Sequence, residues 1–281
     1  MRDEWEALRW GAKCLFIRMI SDDALSIKVG IYLVIKPKNE RWLAKWYFCL
    51  NGLKKLRLYG YSVFLDMELK MYQLYYYPNN ASLAPHFILH HTKAEYQLLL
   101  VDRNSNYHKS AEYLKLNPTG RIPTLIDDGE AIFESAAICI HLCEQSNQLI
   151  PPLGSQLRPK FFQWLTYLNN TLQAELMVRY YPHRHTSDES SIPHVIAAQD
   201  ERIAESLAII DQQLCEHDYL LGDELSACDF FLFMLAQWSL GIEKSALHFT
   251  YLSAYLSKLS HHPTIKAVAE IENIDLSPFQ S

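Results

Sequence analysis

The sequence lacks the features that mark several large protein classes. The longest apolar stretch near the start, residues 24–35, is too short to span a bilayer and contains Lys28. Charges precede this stretch and no small-residue cleavage site follows it, so we expect neither a membrane anchor nor export. An excess of basic residues is also lacking. The formal net charge of -6 argues against a nucleic-acid-binding protein.

The cysteines lack the paired spacing of a metal site. Cys139 and Cys143 are one helical turn apart, but no further metal-binding side chains accompany them. We therefore expect no metal and reduced, buried thiols in a cytoplasmic protein. The six cysteines are Cys14, Cys49, Cys139, Cys143, Cys215 and Cys228.

The first 70 residues differ in composition from the other 211. They contain one of the twelve prolines and four of the six tryptophans, and their formal charge is +5 against -11 for the remainder. The full length of 281 residues leaves room for two domains. With 49% hydrophobic residues the chain is expected to fold as a globular protein. The compositional break predicts that residues 1–70 are an atypical extension.

Two explanations of this extension remain open. Residues 25–35 are predicted to form a strand, and a basic helix is predicted to begin at residue 41 and to end at Gly52 or Gly60. These elements would suit a surface-binding, membrane-peripheral appendage. Alternatively, translation of the working protein begins at Met71, directly before the first well-formed strand. Because the break coincides with a methionine, the second explanation is favoured.

From Met71 onward, the apolar pattern alternates between strand and helix periods. Ser82 and Ser135 stand at predicted helix starts, and Asp128-Gly129 is typical of a hairpin turn. The continuous apolar strand of residues 95–102 is expected to be covered on both faces. The predicted order is β-α-β-α-β-β-α, a small α/β layer fold. Its segments are 71–77, 82–91, 95–102, 110–118, 121–127, 130–133 and 134–145.

After a linker at residues 146–156, which contains a proline pair and a glycine, the pattern is helical throughout. Apolar residues recur every three or four positions over 156–180 and again over 196–214. A third helix begins at Ser226, where Asp229 can complete a capping box. The second domain is predicted to be all-helical.

Three segments, "NPTGRIPTL", "FESAAICIHL" and "YLLGDELSACDFFLF", occur here in an order and spacing that resembles the cytosolic glutathione transferases. The resemblance covers about residues 71–270 and is nearest to the bacterial beta type. It implies a thioredoxin-like, glutathione-binding domain at 71–148 and an all-helical C-terminal domain at 156–275. In this fold class, residues 1–70 would be an unrelated extension.

The resemblance also implies which residues bind glutathione. A cis peptide bond before Pro123 would turn the Ile122 backbone toward the cysteinyl part of the tripeptide. Ser135 and the free N–H groups of its helix would hold the γ-glutamyl carboxylate, and Glu134 would accept the ammonium. The implied glutathione-binding residues are Ala81, Arg121, Ile122, Pro123, Glu134 and Ser135.

The sequence departs from the beta-type pattern at the catalytic turn. Ala81 occupies the position of the characteristic cysteine, so a mixed disulfide with glutathione cannot form there. Ser82 is then the predicted catalytic residue, because a hydroxyl at a helix start can donate to a thiolate and lower its pKa. Tyr76 is the second candidate, although a tyrosine in this strand is more often a core aromatic. On the long helix, Thr166 and Gln173 replace the beta-type Asn and His.

The implied activity is that of a glutathione transferase, in which the glutathione thiolate attacks a small hydrophobic electrophile, a reaction typical of detoxification. Glutathione would be a co-substrate, with no permanently bound cofactor, and the protein would be a homodimer. The alternative is a binding or regulatory protein that keeps the fold with little or no catalysis, because a fold does not carry a function with it.

We predict that removing residues 1–70 leaves a complete protein, because the strand at Met71 should lie in the interior of the sheet. A chain starting at Met71 is expected to match the full chain in melting temperature and glutathione binding. Failure of the shortened chain to fold would mean that the extension is a real domain, and its tryptophan-rich helix would then be the place to seek a partner.

Overall fold

The computed structural model describes five strands within the first 70 residues and the continuous segment 71–280. The chain divides into two compact units, residues 1–68 and 69–281. In the first unit, β1 (Glu6–Trp10), β2 (Lys13–Ser21) and β3 (Ile27–Val34) form an antiparallel sheet in that order. The strand predicted over residues 25–35 corresponds to β3.

Of the two predicted ends of the basic helix, Gly52 and Gly60, the second is wrong. There, β4 (Leu56–Leu58) pairs antiparallel with β5 (Tyr61–Val63). Two residues separate the strands, the length of a tight hairpin connection, so local pairing competes successfully with the helical pattern. The rest of the predicted helix, residues 41–55, lies outside the described residues.

The second unit begins with a four-stranded mixed sheet in the order β7-β6-β8-β9. The prediction that the strand starting at Met71 is central is confirmed, because β6 lies between a parallel partner, β7, and an antiparallel one, β8. Asp128 and Gly129 both have positive φ in the turn from β8 to β9. The strands are β6 (Met71–Tyr76), β7 (Glu95–Leu100), β8 (Thr124–Asp127) and β9 (Glu130–Phe133).

Three helices accompany these strands in the predicted order, two of them between strands and the third after β9. They are α1 (Leu83–His91), α2 (Ala111–Leu116) and α3 (Ser135–Ser146). Two local expectations are wrong. Glu134, and not Ser135, occupies the N-cap position of α3, with φ of 73°, because the strand turns into the helix at that residue. The strand β7, at the sheet edge, is not covered on both faces, because none of its residues is buried and Leu100 is 56% exposed.

The rest of the second unit is helical, as predicted. Its helices are α4 (Arg158–Tyr167), α5 (Gln173–Tyr180), α6 (Ile192–Leu214), α7 (Ala227–Ser239), α8 (Thr250–Ser260) and α9 (Pro263–Glu272). A π-helical segment, Leu168–Leu172, joins α4 to α5, so the predicted long helix is continuous but locally widened. The predicted α/β layer followed by an all-helical part is confirmed.

The start of α7 is fixed by a carboxylate that is completely buried. Asp229 accepts hydrogen bonds from the Ser226 N–H at 2.7 Å and the Ser226 hydroxyl at 2.8 Å. It also accepts from the Leu220 N–H at 3.0 Å and from the Tyr255 hydroxyl of α8. The predicted capping box is therefore present, and its acid also connects the preceding loop to α8.

We predict that Asp229→Ala destabilises the protein by about 3 kcal/mol, because it leaves several buried donors without an acceptor. Chemical denaturation followed by circular dichroism measures this change. Asp223→Ala is the control, because Asp223 is exposed in the loop just before this helix, and it should change the free energy of unfolding by less than about 0.5 kcal/mol. Equal effects of the two substitutions would contradict the structural role of Asp229.

Candidate functional site

A cleft of about 810 Å³ lies between the carboxyl ends of the sheet strands and the helices α5 and α7. Its sheet side is lined by Asn79, Asn80, Ala81, Arg103, His108, Lys109, Asn117, Thr119, Gly120, Arg121, Ile122, Pro123, Glu134 and Ser135. Its helical side is lined by Gln173, Met177, Tyr180, Tyr181, Arg184, Gln237 and Trp238. All six predicted glutathione-binding residues are thus brought together, while Ser82 and Tyr76 are not among the lining residues.

The loop before β8 presents the Ile122 backbone to the cleft. The expected cis bond between Ile122 and Pro123 is present. The carbonyl of Arg121 is held by the Tyr113 hydroxyl at 2.7 Å and the Asn117 amide at 2.9 Å, which fixes the loop from below. Within residues 71–280, the N–H and C=O of Ile122 have no hydrogen-bond partner, so both are available to an extended ligand backbone.

The start of α3 offers a second set of binding groups. The first backbone bond of this helix runs from the Ile138 N–H to the Glu134 carbonyl, which leaves the N–H groups of residues 135–137 without helical acceptors. The side chain of Glu134 is exposed and makes no ion pair in the described part of the chain. The Ser135 hydroxyl donates to the Ala81 carbonyl at 2.8 Å. The helix start can therefore bind a carboxylate through its N–H groups, with Glu134 free to accept a cation.

The turn between β6 and α1 forms the floor of the cleft. Asn79 has a positive φ of 51°, a conformation that Asn tolerates better than most residues. The Asn80 side-chain oxygen accepts from the Ala81 N–H at 2.8 Å, and the Trp238 indole donates to the Asn79 carbonyl at 3.2 Å. The turn is therefore held both by its own side chain and by α7.

Ser82 lies at the predicted helix start, but its hydroxyl is directed away from the cleft. The side chain is completely buried, and its oxygen donates to the Tyr77 carbonyl at 3.1 Å and accepts from the Tyr77 N–H at 3.3 Å. To reach a ligand it would have to release Tyr77. Asn80, in contrast, lines the cleft directly, and the sequence reasoning missed it.

Tyr76 packs against the core, in agreement with its alternative reading as a core aromatic. Its ring lies edge-on to His86, with the centroids 6.5 Å apart. Burial, and secondarily the charge of Glu272, raises its pKa above the ordinary value for tyrosine. A phenol in this position keeps its proton at neutral pH, and it does not line the cleft.

A buried contact between a carboxylate and an imidazole connects the cleft floor to α9. Glu272 and His86 both have fully buried side chains, and the Glu272 carboxylate lies 2.7 Å from His86 Nδ1. The other carboxylate oxygen accepts from the Asn79 N–H at 2.9 Å. His86 Nε2 lies 3.1 Å from the Tyr96 hydroxyl. One carboxylate thus fixes both the turn at Asn79 and the helix α1.

Three polar atoms in the cleft wall are buried without a hydrogen-bond partner within residues 71–280. They are His108 Nδ1, Gln173 Oε1 and Gln237 Nε2. Gln173 directly follows the π-helical segment, and Gln237 lies in the last turn of α7. Burying an unpaired polar atom costs about 1–3 kcal/mol, so such atoms commonly mark positions where a ligand completes the bonding.

No metal site is evident in residues 71–280, where no cluster of three or more His, Cys, Asp or Glu side chains is placed to hold an ion. In the same segment, no helix is both long and apolar enough to cross a membrane.

Comparison with known families gives a match on each side of the cleft. Residues 69–144 match the glutathione S-transferase N-terminal domain, and residues 173–263 match the glutathione S-transferase C-terminal domain. Glutathione S-transferase F10 of Arabidopsis thaliana is 30% identical over 186 residues, which cover 62% of this chain and 85% of that protein. Glutathione S-transferase GstA of Escherichia coli O157:H7 is 24% identical over 206 residues, which cover 72% of this chain and 99% of that protein.

A solved structure of a sphingomonad glutathione S-transferase complexed with glutathione is also similar. It superposes with a TM-score of 0.64 at 26% identity, and the match covers 72% of this chain and all of that one.

We predict that Glu272→Ala loosens the cleft floor, because the Asn79 N–H and His86 both lose their acceptor. The free energy of unfolding should fall by about 3 kcal/mol. Hydrogen–deuterium exchange should also become faster in the peptide that contains Asn79. Glu270→Ala is the matched control in the same helix, because its side chain is exposed. Unchanged exchange at Asn79 in the Glu272 variant would contradict the proposed connection.

Proposed function

The chain belongs to the glutathione S-transferase family, and we propose that it binds glutathione in the cleft and activates its thiol for attack on a small electrophile. One observation carries this proposal: three groups that can bind parts of glutathione lie around the same cleft. These groups are the Ile122 backbone, the start of α3 at Ser135, and the turn at Asn80. They lie on three different chain segments, and the sheet β7-β6-β8-β9 brings them together.

Each part of glutathione has a suitable partner in this arrangement. The γ-glutamyl carboxylate binds the free N–H groups at the start of α3, and Glu134 accepts its ammonium. The cysteinyl backbone pairs with the N–H and C=O of Ile122. Arg121, exposed beside that residue, is placed to bind the glycyl carboxylate. The sulfur then faces the turn at Asn79–Ala81.

Two side chains compete for the role of thiolate donor. Ser82 is the donor predicted from the sequence, and its hydroxyl would have to leave the Tyr77 carbonyl to serve. Asn80 is the candidate that the cleft geometry favours. Its oxygen is held by the Ala81 N–H, which leaves its NH₂ group as a donor on a residue that lines the cleft. A neutral donor to a thiolate stabilises the charged form and lowers the thiol pKa.

The remaining parts of the proposal rest on the family. A homodimer, a cytoplasmic location and a role in detoxification are expected from the family resemblance. The second substrate would bind against the helical side of the cleft, where Met177, Tyr180 and Trp238 provide apolar surface. Glutathione is a co-substrate in this proposal and leaves with the product.

The proposal predicts retention of the protein on immobilised glutathione and an ultraviolet thiolate band when glutathione is bound. The Asn80→Ala variant should raise the pKa of the bound thiol by about one to two units, since a hydrogen bond to a charged group contributes about 1.5–3 kcal/mol. Titration of the thiolate absorbance measures this shift. Absence of glutathione binding would overturn the proposed function.

Ser82→Ala is the matched comparison, because it removes a hydroxyl two residues after Asn80 at the start of α1. We expect it to lower stability, since Tyr77 loses its side-chain partner, and to change the thiol pKa less than Asn80→Ala does. A larger pKa shift from the Ser82 variant would instead establish Ser82 as the donor. Glutathione binding without turnover on a broad panel of electrophiles and peroxides would favour the alternative of a binding or regulatory protein.

A further inference from the structure

The cleft is lined by arginines that have no carboxylate partner within residues 71–280. Six arginines lie in residues 71–280, and three of them, Arg158, Arg179 and Arg202, each pair with an acid. The other three are Arg103, Arg121 and Arg184, and all three line the cleft. None of these three is within ion-pair distance of an acid in this part of the chain. Within residues 71–280, every arginine without an acid partner therefore lines the cleft.

Two of these arginines meet at one tyrosine, on the side of the cleft formed by the end of α5. The Arg103 guanidinium donates to the Tyr181 hydroxyl at 3.2 Å and also lies 5.4 Å from the centre of the Tyr77 ring. The Arg184 guanidinium lies over the Tyr181 ring, 4.1 Å from its centroid. Cation–π contacts and a neutral hydroxyl orient a guanidinium but leave its charge unneutralised. We refer to Arg103 and Arg184 as the arginine pair.

The positive charge of this region also affects neighbouring side chains in the cleft wall. His108 lies in the same wall, and its pKa is below the ordinary value, first because of burial and then because of the charges of Lys109 and Arg103. Lys109 itself donates to the Gly120 carbonyl at 2.8 Å and has no acid partner among the described residues. Glu134 is the single carboxylate among the residues that line the cleft, and glutathione binding assigns it to the ammonium.

Glutathione does not account for all of this charge. Its one remaining carboxylate, on the glycine, is placed near Arg121, because that residue directly precedes the Ile122 backbone that binds the cysteinyl part. The arginine pair is held at Tyr181, just after α5, since Arg103 donates to the Tyr181 hydroxyl and Arg184 lies over its ring. The pair can therefore bind a second anionic group, next to the helical side of the cleft.

The surrounding wall indicates the kind of molecule that carries this group. Tyr180 and Trp238 are joined by a hydrogen bond from the Tyr180 hydroxyl to the Trp238 carbonyl, and both side chains line the cleft, as Met177 does. Gln237 is 7% exposed, and its unpartnered Nε2 is a donor in the same wall. Flat apolar surface with donors and cations at its edge suits an aromatic acid.

We propose that the second substrate is an aromatic electrophile bearing a carboxylate or sulfonate, and that the arginine pair binds this anionic group. This inference rests on the proposed function and specifies the substrate class of the same cleft. It replaces the plain hydrophobic electrophile expected from the family with an anionic one. The Gln237 amide then donates to an oxygen of the bound aromatic compound, which satisfies its free N–H.

The test compares two glutathione conjugates that differ only in charge. S-(4-carboxybenzyl)glutathione carries the anion, and S-(4-carbamoylbenzyl)glutathione is its neutral isostere. Titration calorimetry gives the ratio of their dissociation constants without requiring turnover. We expect the full-length protein to bind the carboxylate at least about fivefold more tightly, a modest ratio because exposed charges are screened by water. Raising the ionic strength should reduce this ratio.

Variants assign the discrimination to particular residues. Arg184→Gln and Arg103→Gln should each bring the ratio close to one, whereas Arg184→Glu should invert it. Arg121→Gln should weaken both conjugates by a similar factor and leave their ratio unchanged, because it is placed at the part they share. Lys266→Gln removes the same charge from an exposed position on α9 outside the cleft, and it should change neither affinity.

The possible outcomes separate this inference from the proposed function. If neither conjugate nor glutathione binds, the proposed function fails and the inference falls with it. If both conjugates bind with equal affinity, or if Arg184→Gln leaves a preference intact, the proposed function stands and the anionic substrate is excluded. A preference that depends on Arg121 instead would also overturn the assignment to the arginine pair.

Discussion

A single carboxylate that is wholly removed from water, that of Glu272, fixes the floor of the cleft. It accepts the Asn79 N–H on one oxygen and contacts His86 on the other, so it connects α9 to the turn after β6. A buried charge is tolerated only when such partners satisfy it. The geometry of the turn, and hence the position of any bound sulfur, therefore depends on a residue 193 positions away in sequence.

The arginines in the walls of the cleft are held in a different way from the Glu272 carboxylate. Arg158, Arg179 and Arg202 are neutralised by acids at the protein surface, whereas the arginine pair of the cleft is oriented by aromatic rings and a phenol. Contacts with aromatic rings and a phenol fix the orientation of a guanidinium group but do not neutralise its charge. A fixed floor and an uncompensated positive wall together favour a ligand that brings its own negative charges, which agrees with a tripeptide thiolate and an anionic co-substrate.

Local sequence signals predicted the parts of the fold that depend on local physics. The Asp128-Gly129 turn and the Ser226–Asp229 capping box were predictable, because each needs particular residue types at closely spaced positions. The cis bond before Pro123 was expected from the family resemblance. The orientation of the Ser82 hydroxyl was not, because it depends on Tyr77 as a competing partner. The edge position of β7 was missed for a related reason, since strand order is set by tertiary pairing and a continuous apolar run does not specify it.

The thiols of the protein itself limit which sulfur chemistry the cleft can support. Ala81 has no sulfur, and within residues 71–280 no cysteine lines the cleft. Cys139, Cys143 and Cys228 are buried, and burial raises the pKa of all three thiols, so they are poor nucleophiles. Cys215 is half-buried and follows α6, away from the lining residues. Among the cysteines of residues 71–280, none can supply a reactive thiolate to this cleft, and the thiol of bound glutathione can. The protein then contributes hydrogen-bond donors and positive charge, which favours conjugation by a bound thiolate over disulfide exchange with the protein.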